Sequence, residues 1–154
     1  MRITARELVA AAGTSLLVIA TGTAAGSAPE IMTSSIFHWT DMKPSPTGVG
    51  QVRQVFRTPT GTLDELECHV TTLNPSQASH APHTHANEEV LIVREGHVDV
   101  FYRGDWHPAT AGDVIFLTGT DPHGIRNAGN TPATYHVLSW HSPGTLKPSS
   151  GSGQ

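Results

Sequence analysis

His80-Ala-Pro-His-Thr-His-Ala-Asn-Glu-Glu-Val-Leu-Ile-Val-Arg-Glu-Gly96 is the stretch whose reading decides the fold. His83 and His85 stand two residues apart, so on an extended strand both imidazoles leave the same face. Glu89 follows four residues later, where Val90-Leu-Ile-Val93 opens the next strand. Two neutral imidazoles and a carboxylate are a common donor set for a divalent first-row metal. Polar loops also gather histidines without any ligand role. A second segment of matching design, further along the chain, weighs against that reading here.

That segment is Gly112-Asp-Val-Ile-Phe-Leu-Thr-Gly-Thr-Asp-Pro-His-Gly-Ile-Arg-Asn127. It reads as a short apolar strand from Val114 to Leu117, a Gly/Pro loop, and a histidine entering another strand. His123 is the expected fourth ligand beside His83, His85 and Glu89. Together the two segments resemble the paired motifs of the cupin superfamily. The first motif matches at His83-x-His85, at Glu89 after three residues, and at Gly96 after six more; Gln77 replaces its leading glycine. The second matches at Gly112, His123 and Asn127, with Thr118 where proline is usual and Thr120 where glycine is usual. These departures touch loop geometry and no ligand position. The resemblance covers roughly residues 50–142. It implies an all-β double-stranded β-helix, a jelly-roll cupin barrel, holding one divalent transition metal (Fe, Mn, Ni, Co or Zn). It leaves the reaction open, because cupins include dioxygenases, isomerases, lyases, decarboxylases and non-enzymatic binders.

Composition agrees with many strands joined by tight turns: 15 glycines, 11 prolines and only 14% charged residues. A formal charge of −4 with no Lys/Arg cluster argues against a nucleic-acid partner. The ten histidines outnumber the nine lysines and arginines, as a metal or acid–base site would predict. Cys68 is the only cysteine, so no intramolecular disulfide forms, and a small buried strand residue is expected there.

Residues 1–28 read as an export signal. Arg2 and Arg6 precede an apolar core from Leu8 to Ala20, and small residues follow around Ala25 and Ala28. That core falls short of the roughly 20 residues a bilayer span takes, so no stable membrane span is expected. Export to the periplasm or beyond is the expectation; a cytoplasmic protein with an ordinary N-terminal helix is the alternative. Residues 29–49 form a lead-in, with Ile36 to Trp39 as an edge strand or packing segment. The barrel follows over 50–142, and 143–154 read as a disordered tail. About nine short strands are expected. In the strand from Leu63 to Leu73, Leu66, Cys68 and Val70 share one face, and Glu65, Glu67, His69 and Thr71 the other.

Strand parity extends the site. If Glu89 faces inward, so do Leu91 and Val93; if His123 does, so do Ile125 and Asn127. These four residues are the expected substrate pocket, mainly apolar and suited to a small organic molecule. His80 and His136 are candidate catalytic residues, with His69 and Arg53 as further titratable groups able to reach the cavity. His38, His97, His107 and His141 read as surface histidines. Tyr102, Trp106, Trp39 and Trp140 read as core residues or as part of a homodimer interface. Three function classes stay open: an oxygen-dependent, dioxygenase-like enzyme; a metal-dependent lyase or isomerase; and a non-catalytic exported binding module.

Overall fold

The computed structural model describes residues 30–143. The export signal read at residues 1–28, and all but the first residue of the tail at 143–154, lie outside the described residues. Among the described residues nine strands follow one another: β1 (Ser45–Thr47), β2 (Gly50–Thr58), β3 (Glu65–Leu73), β4 (Glu88–Glu95), β5 (His97–Tyr102), β6 (Asp105–Thr110), β7 (Val114–Leu117), β8 (Gly124–Asn127) and β9 (Ala133–His141). They pair antiparallel into a six-stranded sheet, β1-β2-β3-β9-β4-β7, and a three-stranded one, β6-β5-β8. Among the described residues no helix is long and apolar enough to cross a membrane.

Two turns need particular backbone angles. Arg103 and Gly104 both have positive φ (52° and 88°), which gives the β5–β6 hairpin the two-residue connection whose twist matches its strands. At Gly96 φ is +83°, and an added Cβ would lie 2.8 Å from the Cα of Ala133. The turn between β4 and β5 therefore presses directly on β9.

Register decides which side chains meet inside. Directly opposed residues share a face, so Glu67, Ser139, Glu89 and Leu117 form one inward row across the large sheet. His69, Val137, Leu91 and Ile115 form the next, and Thr71, Tyr135 and Val93 the one below. Below the polar rows lies the core, in which Leu73, Val93, Val98, Val100 and Ala133 are buried. The polar face of β3 thus turns into the barrel. Its apolar face, with Leu66, Cys68 and Val70, turns outward.

The lead-in packs on that outer face. Phe37 meets Phe56 at 5.1 Å between ring centroids. The Trp39 ring faces the guanidinium groups of Arg53 and Arg94, at 4.6 and 3.9 Å. Arg53 also donates to the Met42 carbonyl. Ile36 to Trp39 is therefore a packing segment and not a strand. Arg53, expected to reach the cavity, opposes Val70 on the outside and is held there by Trp39.

Cys68 is 6% exposed, and burial, with a smaller contribution from Glu67, pushes its thiol up to about 11. Thiol labelling of the folded protein at pH 8 is expected to be at least roughly 100-fold slower than in denaturant. Equal rates would contradict the burial.

Asn127 is 1% exposed and was expected to line the substrate pocket. It is instead a cross-tie. The two hydrogens of its amide nitrogen are shared among the carbonyls of Leu73 (3.1 Å), Asn74 (3.1 Å) and Thr131 (2.8 Å), and its Oδ1 accepts from the Gly129 N–H (2.9 Å). Asn127→Asp keeps the shape but sets a carboxylate against three carbonyl oxygens. It should cost about 2–4 kcal/mol in urea unfolding at neutral pH. A change below about 0.5 kcal/mol, the size of an ordinary surface substitution, would show the tie to be unimportant.

Candidate metal centre

The ligand segment is extended without being a continuous strand. Residues 77–85 run antiparallel to residues 119–127, joined by bonds from Asn127 N–H to Gln77 O (2.8 Å), Ser79 N–H to Ile125 O (3.1 Å) and His85 N–H to Gly119 O (2.9 Å). Between Ser79 and His83 the pairing is interrupted, and Pro82 there has no N–H to give. His83 and His123 then pair reciprocally, each N–H donating to the other's carbonyl at 3.0 Å. This bridge puts both imidazoles on one face. Alternation brings His85 to the same side.

One nitrogen of each ring faces a carbonyl oxygen. Nδ1 of His85 lies 2.8 Å from Asn87 O, Nδ1 of His123 lies 2.8 Å from Asp121 O, and Nδ1 of His83 lies 3.3 Å from His123 O. A carbonyl only accepts, so these contacts call for Nδ1–H and leave Nε2 with a free lone pair. Nε2 of His85 and Nε2 of His123 are nevertheless only 3.0 Å apart. Two lone pairs at that distance repel unless a proton or a metal ion lies between them. The donor set therefore fits a metal ion, and His83, His85 and His123 form a group whose donor atoms all lie within 4.8 Å of one another. Burial and the neighbouring His80, His123 and His85 together hold His83 below its ordinary value, which favours the neutral, ligating form.

Glu89, the second residue of β4, comes in from the first inward row of the large sheet. Its Oε1 is 3.4 Å from Nε2 of His85 and its Oε2 is 3.9 Å from Nε2 of His123. It lies beside two of the three histidines and outside the tight group. A role as fourth ligand is a proposal that rests on those two distances.

Beside the histidines is a cavity of about 170 Å³. Leu91, Leu117, Ile125 and Val137 provide apolar walls; His69, Thr71, Ser79, His80, Glu89 and Tyr135 provide polar ones. Leu91 and Ile125 thus line the cavity. Val93 and Asn127 do not: they share the inward face but lie deeper, Val93 in the core and Asn127 in its carbonyl cradle. His80 borders the cavity mouth, its ring centroid 4.1 Å from that of His83. His136 is elsewhere. It opposes Val70 and Ile92 on the outer face, where burial and Arg94 lower its pKa, so it is no candidate for catalysis in this cavity.

Tyr135 was missed. It is 2% exposed, bonded through its side chain to Ser79 and Thr71, and its phenol is pushed up by burial and, less, by Glu89. Alternation along Ala133, Tyr135 and Val137 marks it as inward. The cross-strand register sets it opposite Thr71 and Val93, two rows below Glu89, where it lines the same cavity.

Residues 69–140 match a family model described as Cupin_2, the cupin domain. The chain carries a domain of the cupin superfamily. The sequence matches no curated protein. Among solved structures it is similar to a predicted oxalate decarboxylase from Thermotoga maritima, at 18% identity and TM-score 0.58 over 70% of this chain and 99% of that one. It is similar to a cupin-superfamily sugar phosphate isomerase from Silicibacter pomeroyi, at 18% identity and TM-score 0.56 over 71% of this chain and 77% of that one. It is also similar to the Cupin_2 domain of an XRE family transcriptional regulator from Enterobacter cloacae, at 24% identity and TM-score 0.51 over 60% and 95%. At these identities the likeness establishes the fold alone.

Gly119 tests the positioning of the histidines without altering a donor. A Cβ there would collide with the carbonyl oxygens of Asn87 and His85. Gly119→Ala should weaken binding of a divalent metal by roughly 10–100-fold, the scale of changes next to ligands, measured by competition with a chelating dye. Unchanged affinity would mean that the loop's exact path does not matter.

Proposed function

We propose that this cupin is a metal-dependent enzyme acting on a small organic substrate, with dioxygen as co-substrate. The observation that carries the reading is the double use of His123, whose Nε2 belongs to the donor group and whose ring lines the adjoining cavity. His83, His85 and His123, with Glu89 as the proposed fourth ligand, would hold iron, manganese, nickel, cobalt or zinc. Such an ion supplies Lewis-acid or dioxygen-activating chemistry through coordination positions that the protein leaves open.

The chain's own groups provide the rest. At about 170 Å³ the cavity is below the roughly 300–1,000 Å³ of drug-sized sites, which suits a small substrate. Leu91, Leu117, Ile125 and Val137 exclude water and hold its apolar part. Tyr135 stays protonated and offers a hydrogen bond near Glu89. His69, with Nδ1 3.3 Å from Glu67 Oε1, and His80 at the mouth are the groups able to move a proton.

A lyase or isomerase is the second reading. It is favoured by the protic ring of Tyr135, His69 and His80, and by the decarboxylase and isomerase among the proteins of like fold. Export through residues 1–28 belongs to the same proposal. So does a homodimer, which the exposed apolar strip of Ile92, Val114 and Phe116 on the outer face of β4 and β7 supports.

Metal analysis of untagged protein, followed by oxygen-uptake screening against small organic acids, phenols and sugars, tests this reading. Near-stoichiometric metal with substrate-dependent oxygen consumption is expected, and Tyr135→Phe should lower turnover by roughly 10²-fold or more while leaving metal content unchanged. Metal-dependent turnover that persists without oxygen would favour the lyase or isomerase. A tightly held metal with no turnover on any substrate would leave the binding module.

A further inference from the structure

Resting on the metal-enzyme reading above, we propose that the cavity beside the histidines takes a neutral, weakly acidic hydroxyl compound of one-ring size, a phenol or an enol, and that His69, positioned by Glu67, accepts its proton. Charge sets the class. None of the six lysines and arginines among the described residues lines this cavity. Arg53 and Arg94 flank Trp39 on the outer face, Arg57 is bonded to Glu65, and Arg126 to Asp99. Lys43 lies in the lead-in and Arg103 in the β5–β6 turn. A divalent ion on three neutral imidazoles, with Glu89 as its carboxylate, carries one net positive charge, which balances one anionic oxygen. A carboxylate spreads its charge over two oxygens and a phosphate over three, and no cation of the chain stands by to meet the others.

Size agrees. At about 170 Å³ the cavity is close to the roughly 150 Å³ that holds one benzene ring in an apolar interior. Leu91, Leu117, Ile125 and Val137 would meet such a ring. The hydroxyls of Tyr135, Ser79 and Thr71 are bonded to one another, which leaves that part of the polar wall neutral.

A phenol arrives neutral and must lose a proton, so the site needs an acceptor inside the cavity. His69 stands on β3 in the inward row of Val137 and Leu91, and its ring lines the cavity. Its Nδ1 lies 3.3 Å from Oε1 of Glu67; a carboxylate only accepts, so Nδ1 carries the hydrogen and Nε2 the free lone pair. The other oxygen of Glu67 faces Arg57 at 3.9 Å, which steadies the carboxylate from behind. Glu67 is thus a positioning residue, fixing the tautomer of His69 and offsetting the charge that the ring gains. In the step itself the substrate's O–H bond breaks, its proton joins Nε2 of His69, and the electron pair stays on the oxygen. No oxidant takes part. Neither of two other inward or bordering histidines has such backing. His80 is exposed at the mouth, its Nδ1 3.2 Å from the Ala81 carbonyl. His107, read from the sequence as a surface residue, opposes Val100 and so faces inward, but it stacks on Tyr102 and lines no part of this cavity.

The test uses the full chain loaded with zinc, which has no redox chemistry. Phenol, benzoate and phenyl phosphate are titrated at pH 8 by calorimetry in two buffers of different ionisation enthalpy, which counts released protons, while ultraviolet difference spectra report phenolate. Phenol should saturate at one per zinc, appear as phenolate, release no proton to the buffer, and bind at least roughly tenfold tighter than either acid. In His69→Gln each bound phenolate should release its proton to the buffer, and affinity should fall at least roughly tenfold. Glu67→Gln should weaken phenol binding several-fold, and both variants should keep their zinc and their benzoate affinity. The proposal is overturned if either acid binds as tightly as phenol, if phenol does not saturate, if the wild-type protein already releases the proton, or if both variants bind phenol as before. Metal-dependent oxygen consumption on a carboxylic acid, with no phenolate bound, overturns the substrate class and leaves the enzyme reading standing. Selective phenolate binding by protein that consumes no oxygen upholds the substrate class and overturns the dioxygen reading. Protein that takes up no zinc overturns both.

Discussion

The reciprocal backbone bond between His83 and His123 is the constraint on which the site depends. It joins two segments 40 residues apart with a pair of 3.0 Å bonds, placed where both carry a ligand. A directly opposed antiparallel pair shares a face, so the bridge itself turns the two imidazoles toward one another. Asn127 secures the far end of the same seam, bonding to carbonyls on both sides of it. Between these ties lies the Pro82 interruption, which frees His80 to stand at the cavity mouth. The seam is paired where the histidines converge and unpaired beside the cavity.

Tautomer control follows from that backbone. Each ring is held through Nδ1 by a carbonyl oxygen, and carbonyls come from the chain path alone, whatever the neighbouring side chains. The outcome is a group of three imidazole donors, with Nε2 of His85 and Nε2 of His123 close enough to need a proton or a metal ion between them. Glu89, on the first inward row of the large sheet, is near enough to offset that charge. The barrel accepts a polar interior at this end because the core lies deeper, around Val93, Val98, Val100 and Tyr135.

Much of this was legible from spacing. A two-residue interval between histidines and a further histidine after a Gly/Pro loop marked the three residues that cluster, and short apolar runs bounded by turns marked the all-β fold. Strand parity correctly brought Leu91, Val93, Ile125 and Asn127 to the inward face. Parity, however, carries no information on depth: Leu91 meets the cavity and Val93, two residues on, meets the core. It also fails wherever the face depends on a partner. His136, Arg53 and His107 were placed by cross-strand registers that no single strand reveals. Tyr135 drew no reading from the sequence, and it meets the cavity because β9 lies between β3 and β4. The role of Asn127 depends on carbonyls from the end of β3 and from the loop before β9, and no local pattern encodes that.

The central claim is that three imidazole Nε2 atoms converge on one divalent cation. X-ray absorption at the edge of whatever metal the protein binds tests it most directly. The account predicts three imidazole nitrogens at about 2.0–2.2 Å with their characteristic multiple scattering, completed by oxygen donors, and two imidazoles in His123→Ala. A shell made of oxygen donors, or one unchanged by removal of His123, would contradict it.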